Sequence, residues 1–221
     1  VPLNPPEFNF DANVLEDAMK QDGVKALILC NPSNPCGKVF TLEELQIIAD
    51  LAIKYDLYVI TDEVYEHILY KPNKHIYMAT LPGMRERTII CNSLSKTYSI
   101  TGWRLGYVIA PPEVIDRVKK VHDFLTVGAA APLMEAVVPG LNFGDDYYIE
   151  LQNHYTHMKN YWNGRLAGIF DIKKIPSGYE ELINAYKAGY IYTLIVKDGT
   201  ELHVGEDGYD RVFDHDVIGM L

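Results

Sequence analysis

A single lysine stands among hydroxyl side chains in the segment NSLSKTYSITGWRLGY, residues 92–107. Lys96 follows the apolar run at 88–91, and Arg104 lies eight residues further on, directly after a Gly-Trp pair. A lysine at the surface needs no such setting, whereas an amine that acts as a nucleophile is partly desolvated and often lies beside another charged group. The segment therefore predicts that Lys96 is a reactive amine and that Arg104 binds a nearby anion.

Two further polar clusters follow apolar runs in the same way. NPSNPCG at 31–37 contains Asn34, and TDEVYEH at 61–67 contains Asp62 and Tyr65. Each cluster by itself fits a plain alternative, because the first is also typical of a turn and the second of the polar end of a strand. A lone lysine is likewise most often solvated. The clusters therefore support a functional interpretation only in combination.

In combination these residues fit the needs of a pyridoxal-type cofactor. Such a cofactor requires an amine that forms an imine, a carboxylate opposite its ring nitrogen, and donors for its phenolic oxygen and its phosphate. Asp62 is the candidate carboxylate, and Asn34 and Tyr65 are the candidate donors to the phenolic oxygen. Arg104 offers a fixed positive charge and Ser93 a hydroxyl, so both are candidates for the phosphate.

The pattern of secondary structure explains how these clusters could meet. Continuous apolar runs predict four strands, at 26–30, 57–61, 88–92 and 105–111. Helical spacing predicts a helix over about 12–22 and a second one after Thr41, which begins a capping box. Apolar strands that alternate with helices are typical of an α/β fold, a mainly parallel sheet with helices on both faces. Because ligands collect at the carboxyl ends of such strands, the three clusters should converge there.

The second half of the chain is more helical. A long helix is predicted from Pro112, and Ala131-Pro132 marks its far end. Its apolar face is predicted to contain Val114, Val118, Val121 and Leu125. Another helix should cover about 145–166. The segment 190–205 predicts a hairpin with its turn at Asp198-Gly199.

The order and spacing of the motifs resemble a known family. NPSNPCG, DEVYEH, SLSKTYS and GWRLGY together resemble fold-type I pyridoxal phosphate-dependent aminotransferases of class I/II. The stretches VPLNPPEF and KVHDFLTVGAAAPL look like the methionine, kynurenine and glutamine transaminase branch. The resemblance covers about residues 1–165. It implies transamination of an amino acid with a 2-oxo acid acceptor, carried out by a homodimer.

The resemblance also implies a role for each candidate site residue. Lys96 would hold pyridoxal 5'-phosphate as an internal aldimine and shuttle the proton between the substrate Cα and the cofactor. The other residues would make the cofactor contacts named above, and the bond before Pro35 would be cis. The complete set of site residues is Asn34, Asp62, Tyr65, Ser93, Lys96 and Arg104.

The resemblance implies two domains. Residues 1–125 would form the core of the large cofactor-binding domain, without its N-terminal part, and 126–221 would form a linking helix and part of a small α+β domain. Relatives carry a phosphate loop and a ring-stacking aromatic residue upstream, and neither precedes Val1. They also bind the substrate carboxylate with a C-terminal arginine, and Arg211 lacks the usual context for that role. We therefore expect a partial chain and leave Arg211 unassigned.

Other functions stay open at this point. A pyridoxal phosphate-dependent carbon–sulfur lyase would share the cofactor contacts, because substrate contacts decide the outcome on a common scaffold. A truncated, non-catalytic copy also fits the incomplete ends. Ser93-x-x-Lys96 matches the motif of serine acyl-transfer enzymes as well, but the sequence contains neither an S-D-N nor a K-T-G partner.

Composition excludes several other classes of function. A formal net charge of −10 argues against non-specific binding to nucleic acid. No apolar run reaches the length that a membrane span requires. The three cysteines form no C-x-x-C pair, which favours a reducing compartment and hence a cytoplasmic protein. His154 and His157 have helical spacing without a third ligand nearby, so no metal site is predicted.

Overall fold

The computed structural model of the chain describes residues 1–5, 7–166, 197–198 and 201–202. In chain order the elements are α1 (Ala12–Met19), β1 (Ala26–Cys30), α2 (Leu42–Lys54), β2 (Tyr58–Asp62), β3 (Thr88–Ser93), α3 (Leu94–Thr97), β4 (Gly106–Ile109), α4 (Pro112–Leu125), α5 (Ala131–Leu141), α6 (Asp145–Leu166), β5 (Lys197–Asp198) and β6 (Glu201–Leu202). The chain divides into two compact units, Val1–Arg165 and Leu166–Leu221. The predicted domain boundary after residue 125 stays a prediction.

The central sheet is mainly parallel, as the sequence predicts. Its strand order is β1-β2-β3-β4, with the first three strands parallel and β4 antiparallel to β3. The register places Cys30 beside Asp62 and Asp62 beside Cys91. The predicted α/β fold is confirmed, and the carboxyl ends of β1, β2 and β3 meet at one edge of the sheet.

Local sequence signals fix where the first helices begin. Asp11 caps α1 by accepting a hydrogen bond from the amide of Asn13 at 2.8 Å. The predicted capping box of α2 is confirmed, because Thr41 and Glu44 each accept a hydrogen bond from the other's backbone amide. α1 ends at Met19, three residues earlier than the apolar spacing predicts.

The main hydrophobic core lies on one face of the sheet, between the strands and the first two helices. Leu15 of α1 and Leu45 and Ile48 of α2 pack with Leu29 of β1 and Val59 of β2, and all five are buried. Side chains alternate between the two faces of a strand, so Leu29 and Val59 point to the same face. The core therefore joins both helices to the strands that carry the candidate site residues.

The opposite face of the sheet differs from the prediction that the strands are buried on both sides. Ile28 is 75% exposed, Tyr58 is 41% exposed and Val108 is 37% exposed. The reason is that α1 and α2 both pack on the face that contains Leu29 and Val59. Within the described residues, the strands are thus well covered on one face.

The helices after the sheet also differ in part from the prediction. α4 and α6 match the predicted helices, but the predicted apolar face of α4 is exposed, with Val121 at 60% and Leu125 at 75%. The sequence does not predict α5, because Ala131-Pro132 indicates the end of a helix, whereas Pro132 lies in the first turn of α5. Among the described residues, no helix combines the length and apolar character that crossing a membrane requires.

A short antiparallel pair, β5 and β6, lies inside the predicted hairpin at 190–205. Its register pairs Lys197 with Leu202 and Asp198 with Glu201. Of the two predicted turn positions, Asp198 lies in β5 and Gly199 lies outside the described residues. The rest of the predicted hairpin and Arg211 also lie outside the described residues.

Candidate functional site

Asn34 and Tyr65 come from different loops and contact each other directly. The side-chain amide of Asn34 donates a hydrogen bond to the Tyr65 hydroxyl at 3.3 Å. The loop of Asn34 is anchored by Asn31, a buried side chain that accepts a hydrogen bond from the amide of Phe40 at 3.1 Å. The predicted cis bond between Asn34 and Pro35 is confirmed. The two side chains that the sequence predicts as donors to the cofactor's phenolic oxygen are therefore in contact with each other.

The hydroxyl of Tyr65 is a donor at neutral pH. Burial raises the pKa of Tyr65, and the nearby Cys30 and Asp62 raise it further, although the hydrogen bond from Asn34 opposes them. The phenol therefore keeps its proton, and it can donate that proton to an oxygen acceptor.

Asp62 ends β2 between two thiols. Its side chain is exposed, and one carboxyl oxygen accepts a hydrogen bond from the amide of Val64 at 3.2 Å. The register places Cys30 and Cys91 on the neighbouring strands at the same level. Burial raises the pKa of both thiols and the Asp62 carboxylate raises it further, so both thiols are neutral at neutral pH. The carboxylate is thus available to pair with a cationic ring nitrogen.

Ser93 and Lys96 lie where β3 passes into α3. Ser93 caps α3, because its hydroxyl accepts a hydrogen bond from the amide of Ser95 at 3.1 Å. The same hydroxyl lies 2.8 Å from the Ser95 hydroxyl and 3.2 Å from the Leu105 carbonyl, and it can donate its one proton to either oxygen. Lys96 lies in α3 with its side chain half-buried. The short helix therefore places the backbone of Lys96 directly after the end of β3, and β3 pairs with β2.

Arg104 is joined to the same helix through the backbone. The amide of Leu94 donates to the carbonyl of Leu105 at 3.1 Å, and the amide of Ile100 donates to the carbonyl of Ser95 at 3.0 Å. Arg104 itself has a left-handed backbone, with φ 55° and ψ 44°, which is a strained conformation for a residue other than glycine. Its exposed guanidinium donates to the carbonyl of Thr101 at 3.0 Å, which leaves further N–H donors for an anion.

The close approach of β4 to β3 requires a glycine. A Cβ atom at Gly106 would lie 2.6 Å from the carbonyl oxygen of Asn92, far inside van der Waals contact. The register pairs Gly106 with Ser93. Gly106 therefore lets the strand that follows Arg104 lie against the strand that carries Ser93.

The structure thus brings the predicted site residues to one edge of the sheet in three groups. Asn34 and Tyr65 are hydrogen-bonded, and Ser93, Lys96 and Arg104 belong to one continuous, internally bonded segment. Asp62 lies between these groups at the end of the middle parallel strand. A carboxylate, an amine, a guanidinium and three neutral donors suit an anionic heteroaromatic cofactor such as pyridoxal phosphate. Their individual contacts with a cofactor stay predictions.

A second polar cluster next to the site was missed from the sequence. Glu63, Glu66 and His75 place their side-chain ligand atoms within 4.8 Å of one another. His75 contacts a carboxyl oxygen of Glu63 at 3.0 Å through Nε2. Asn92 and Tyr77 each donate to Glu66 at 2.6 Å. The available signal was the acidic pair at 63 and 66 directly behind the predicted strand, but no local pattern pointed to partners so distant in sequence.

Comparison with known families identifies relatives of known activity. The family model described as aminotransferase class I and II matches residues 1–178. Kynurenine–oxoglutarate transaminase 3 of Bos taurus is 53% identical over 113 residues, which are 51% of this chain and 25% of that protein. The chain therefore spans about a quarter of the length of this relative.

Solved structures give a consistent result. N-succinyldiaminopimelate aminotransferase from Mycobacterium tuberculosis superposes with a TM-score of 0.73 at 36% identity, over 76% of this chain and 44% of that one. Cystalysin from Treponema denticola, whose crystal structure contains pyridoxal 5'-phosphate, superposes with a TM-score of 0.53 at 26% identity. That match covers 71% of this chain and 37% of cystalysin.

Proposed function

The chain belongs to the aminotransferase class I and II family, and from this premise we propose that the protein transfers an amino group from an amino acid to a 2-oxo acid. The observation that supports the proposal is that the parallel strands β2 and β3 end at one edge of the sheet, at Asp62 and just before Lys96, and that the antiparallel β4 begins at the same edge just after Arg104. These groups supply an acid, an amine and an anion-binding guanidinium, as a pyridoxal phosphate enzyme needs.

The residues present fit pyridoxal phosphate as the cofactor. Asp62 would pair with the ring nitrogen, and the hydrogen-bonded Asn34 and Tyr65 would bind the phenolic oxygen. Ser93 and Arg104 would hold the phosphate, because hydroxyl and guanidinium groups are its usual donors. When bound, the cofactor supplies an electron sink that stabilises negative charge at the substrate Cα.

Lys96 is the proposed catalytic residue. Its amine would hold the cofactor in the absence of substrate and would be free when an amino-acid substrate is bound. The free amine then removes the proton from the substrate Cα as a general base and delivers a proton as a general acid. Lys96 lies in the short helix α3, which begins where β3 ends, and β3 pairs with β2. One side chain at this position could therefore make both transfers.

Chemical trapping tests the assignment of Lys96. Pyridoxal 5'-phosphate is added to the purified protein, the product is reduced with borohydride, and the labelled peptide is identified by mass spectrometry. We expect the label on Lys96 and its loss in Lys96→Ala, whereas Lys74→Ala, which alters an exposed lysine, should retain it. A label that persists at full occupancy in Lys96→Ala would contradict the proposal.

Dependence on an acceptor tests the type of reaction. Transamination requires a 2-oxo acid, whereas elimination by a carbon–sulfur lyase does not. The relatives named above as transaminases favour transfer over elimination. Because the most similar of these is a kynurenine–oxoglutarate transaminase, we propose kynurenine and 2-oxoglutarate as the first substrate pair to assay. Turnover of the amino acid without any 2-oxo acid would favour the lyase.

We also propose that the protein is a cytoplasmic homodimer. The resemblance to class I/II aminotransferases supports the dimer, and free cysteines at positions 30, 36 and 91 are consistent with a reducing compartment. Light scattering coupled to size-exclusion chromatography measures the first property, and microscopy of a fluorescently tagged protein measures the second. A monomer at micromolar concentration or a tag in a secretory compartment would contradict the respective proposal.

A further inference from the structure

The ends of β2 and β3 are joined by a buried hydrogen bond that the site residues themselves do not make. Asn92 donates from its side-chain amide to a carboxyl oxygen of Glu66 at 2.6 Å. The side chain of Glu66 is 10% exposed and Asn92 is 9% exposed. A hydrogen bond between an amide and a carboxylate at this depth contributes more than one at the surface, because water cannot replace it.

Both polar atoms of the Asn92 side-chain amide form hydrogen bonds. While its amide nitrogen bonds to Glu66, its amide oxygen accepts a hydrogen bond from the backbone amide of Ser93 at 2.7 Å. Glu66 directly follows Tyr65 in the chain, and the amide of Glu66 donates to the carbonyl of Glu63 at 2.9 Å. The Glu66–Asn92 pair therefore connects the turn that carries Tyr65 to the strand end that carries Ser93.

Both carboxyl oxygens of Glu66 accept hydrogen bonds from protein side chains. Tyr77 donates to the second oxygen at 2.6 Å, and Tyr107 donates at 3.4 Å to the oxygen that Asn92 contacts. Burial and the nearby Glu66 raise the pKa of Tyr107 to about 12, so its phenol remains a donor. These contacts favour a fixed hydrogen-bonded network around Glu66 over a metal site formed with Glu63 and His75.

We infer that the Glu66–Asn92 pair is a positioning device that sets the distance between the donor to the phenolic oxygen and the donor to the phosphate of the bound cofactor. Tyr65 and Ser93 would bind two substituents of the same ring, the phenolic oxygen and the phosphate arm, so their separation influences whether both can bind at once. Glu66 and Asn92 act through these neighbours and do not touch the cofactor. The inference rests on the proposed function for the identity of the cofactor.

The test measures the dissociation constant of pyridoxal 5'-phosphate by titration of its visible absorbance with purified protein. Asn92→Asp places a carboxylate against Glu66 and should weaken binding about tenfold or more, since the loss of a charge-assisted hydrogen bond is of that order. Adding Glu66→Gln to Asn92→Asp restores a donor and an acceptor in the same geometry, and it should recover most of the affinity.

Tyr77→Phe is the matched control. It removes a hydrogen bond of the same length to the same carboxyl group, but Tyr77 precedes the 3₁₀ turn Met78–Thr80 and is not next to a site residue. We expect its dissociation constant to stay within about twofold of the unaltered protein, because binding depends on the groups that position the cofactor donors. Urea unfolding of each variant without the cofactor measures how far the substitution lowers the stability of the protein itself.

The possible results separate the two proposals. Weak binding in Asn92→Asp, recovery in the double variant and near-normal binding in Tyr77→Phe support the positioning device. Equal losses in Asn92→Asp and Tyr77→Phe that follow the loss of stability, or unchanged binding in Asn92→Asp, overturn it while the proposed function stands. If the unaltered protein does not bind pyridoxal 5'-phosphate, the proposed function fails and the inference fails with it. If Asn92→Asp does not fold, Asn92→Ser with its shorter side chain takes its place, with the same expected loss of affinity.

Discussion

Residues 12–93 and residues 112–166 bury their apolar side chains very differently. In the first region Leu45 and Ala49 of α2 are fully inaccessible, and both α1 and α2 seal one face of the sheet. Within 112–166, α4 and α6 contain no buried residue, and α5 buries Val137. Both regions have apolar residues at helical spacing. The difference teaches that periodicity identifies a helix and the face it would bury, but not whether that face is covered.

The second region is attached by Val137 of α5, which packs in an apolar cluster with Leu94 and Leu105, and by tyrosines and backbone groups. The Tyr147 hydroxyl donates to the carbonyl of Thr97 at 2.6 Å, and the hydroxyls of Tyr98 and Tyr148 share a hydrogen bond of 2.9 Å. Thr156 accepts a hydrogen bond from the amide of Lys71 at 3.2 Å. These hydrogen bonds fix the relative orientation of the groups that they join, but each contributes less to stability than a buried apolar side chain does.

The same substitution in the two regions gives the largest expected contrast. Leu45→Ala removes a fully buried side chain and should lower the free energy of unfolding by roughly 2–5 kcal/mol. Leu125→Ala removes a side chain that is 75% exposed and should change it by less than about 0.5 kcal/mol. Urea unfolding followed by circular dichroism measures both values. Similar losses would show that α4 is covered in solution.

Glycine substitutions test the boundary between the regions. Gly106→Ala forces a Cβ against the Asn92 carbonyl, a backbone atom that cannot rotate away, and should cost roughly 1–3 kcal/mol. Gly128→Ala, in the link between α4 and α5, meets no atom within 4 Å and serves as the control. Thermal unfolding of the two variants supplies the comparison. A neutral Gly106→Ala would mean that β4 does not lie against β3.

Capping sharpens the comparison at the level of single helices. α2 begins with the Thr41–Glu44 capping box, whereas α4 begins after Pro111 with no side-chain cap. Thr41→Ala should lower the free energy of unfolding by about 1 kcal/mol, because the amide of Glu44 loses its acceptor. Thr41→Ser keeps the hydroxyl and should retain most of that stability. Urea unfolding distinguishes the two, and equal losses would argue against the capping bond.

The smallest expected effect concerns His67, whose ring lies 4.3 Å from that of Tyr148 and links the two regions. Burial lowers the pKa of His67 below its ordinary value of 6.5, so the unfolded chain takes up a proton more readily than the folded one. The contribution is therefore fully present above pH 6.5 and is lost as the pH falls through the lowered pKa. It should amount to a few tenths of a kcal/mol, because the ring is partly solvated.

Urea unfolding at pH 7.5 and pH 5.0 of the unaltered protein and of His67→Gln measures this contribution. The variant should lose less stability on acidification than the unaltered protein. An equal or greater loss in the variant would contradict the prediction.

Much of the sheet could be predicted from the sequence, because continuous apolar runs with polar ends are strong local signals. The strands at 26–30 and 88–93 and the capping box at Thr41 are examples. α5 could not be distinguished locally from a loop, since Ala131-Pro132 is consistent with both the end and the beginning of a helix. The local sequence pattern also could not predict that the strands are buried on one face, because this depends on the face of the sheet on which the helices pack.

Local sequence motifs also predicted most of the candidate site, but they could not predict its contacts between residues that are distant in sequence. Lys96 and Arg104 are close in sequence, and the segment between them carries its own turn signals. The Glu66–Asn92 pair joins residues 26 positions apart through two ordinary polar side chains. No periodicity marks such a contact, because it exists only when parallel strands bring their ends together.

The carbonyl of Leu105 accepts a hydrogen bond from the Leu94 amide and lies within hydrogen-bond distance of the Ser93 hydroxyl. A single atom thus ties the lysine-bearing helix to the arginine-bearing loop. A displacement of α3 would therefore also pull on the backbone next to Arg104. The backbone positions that carry the amine and the guanidinium are thus coupled, so a shift at this end of the sheet would move both points of attachment in the same direction.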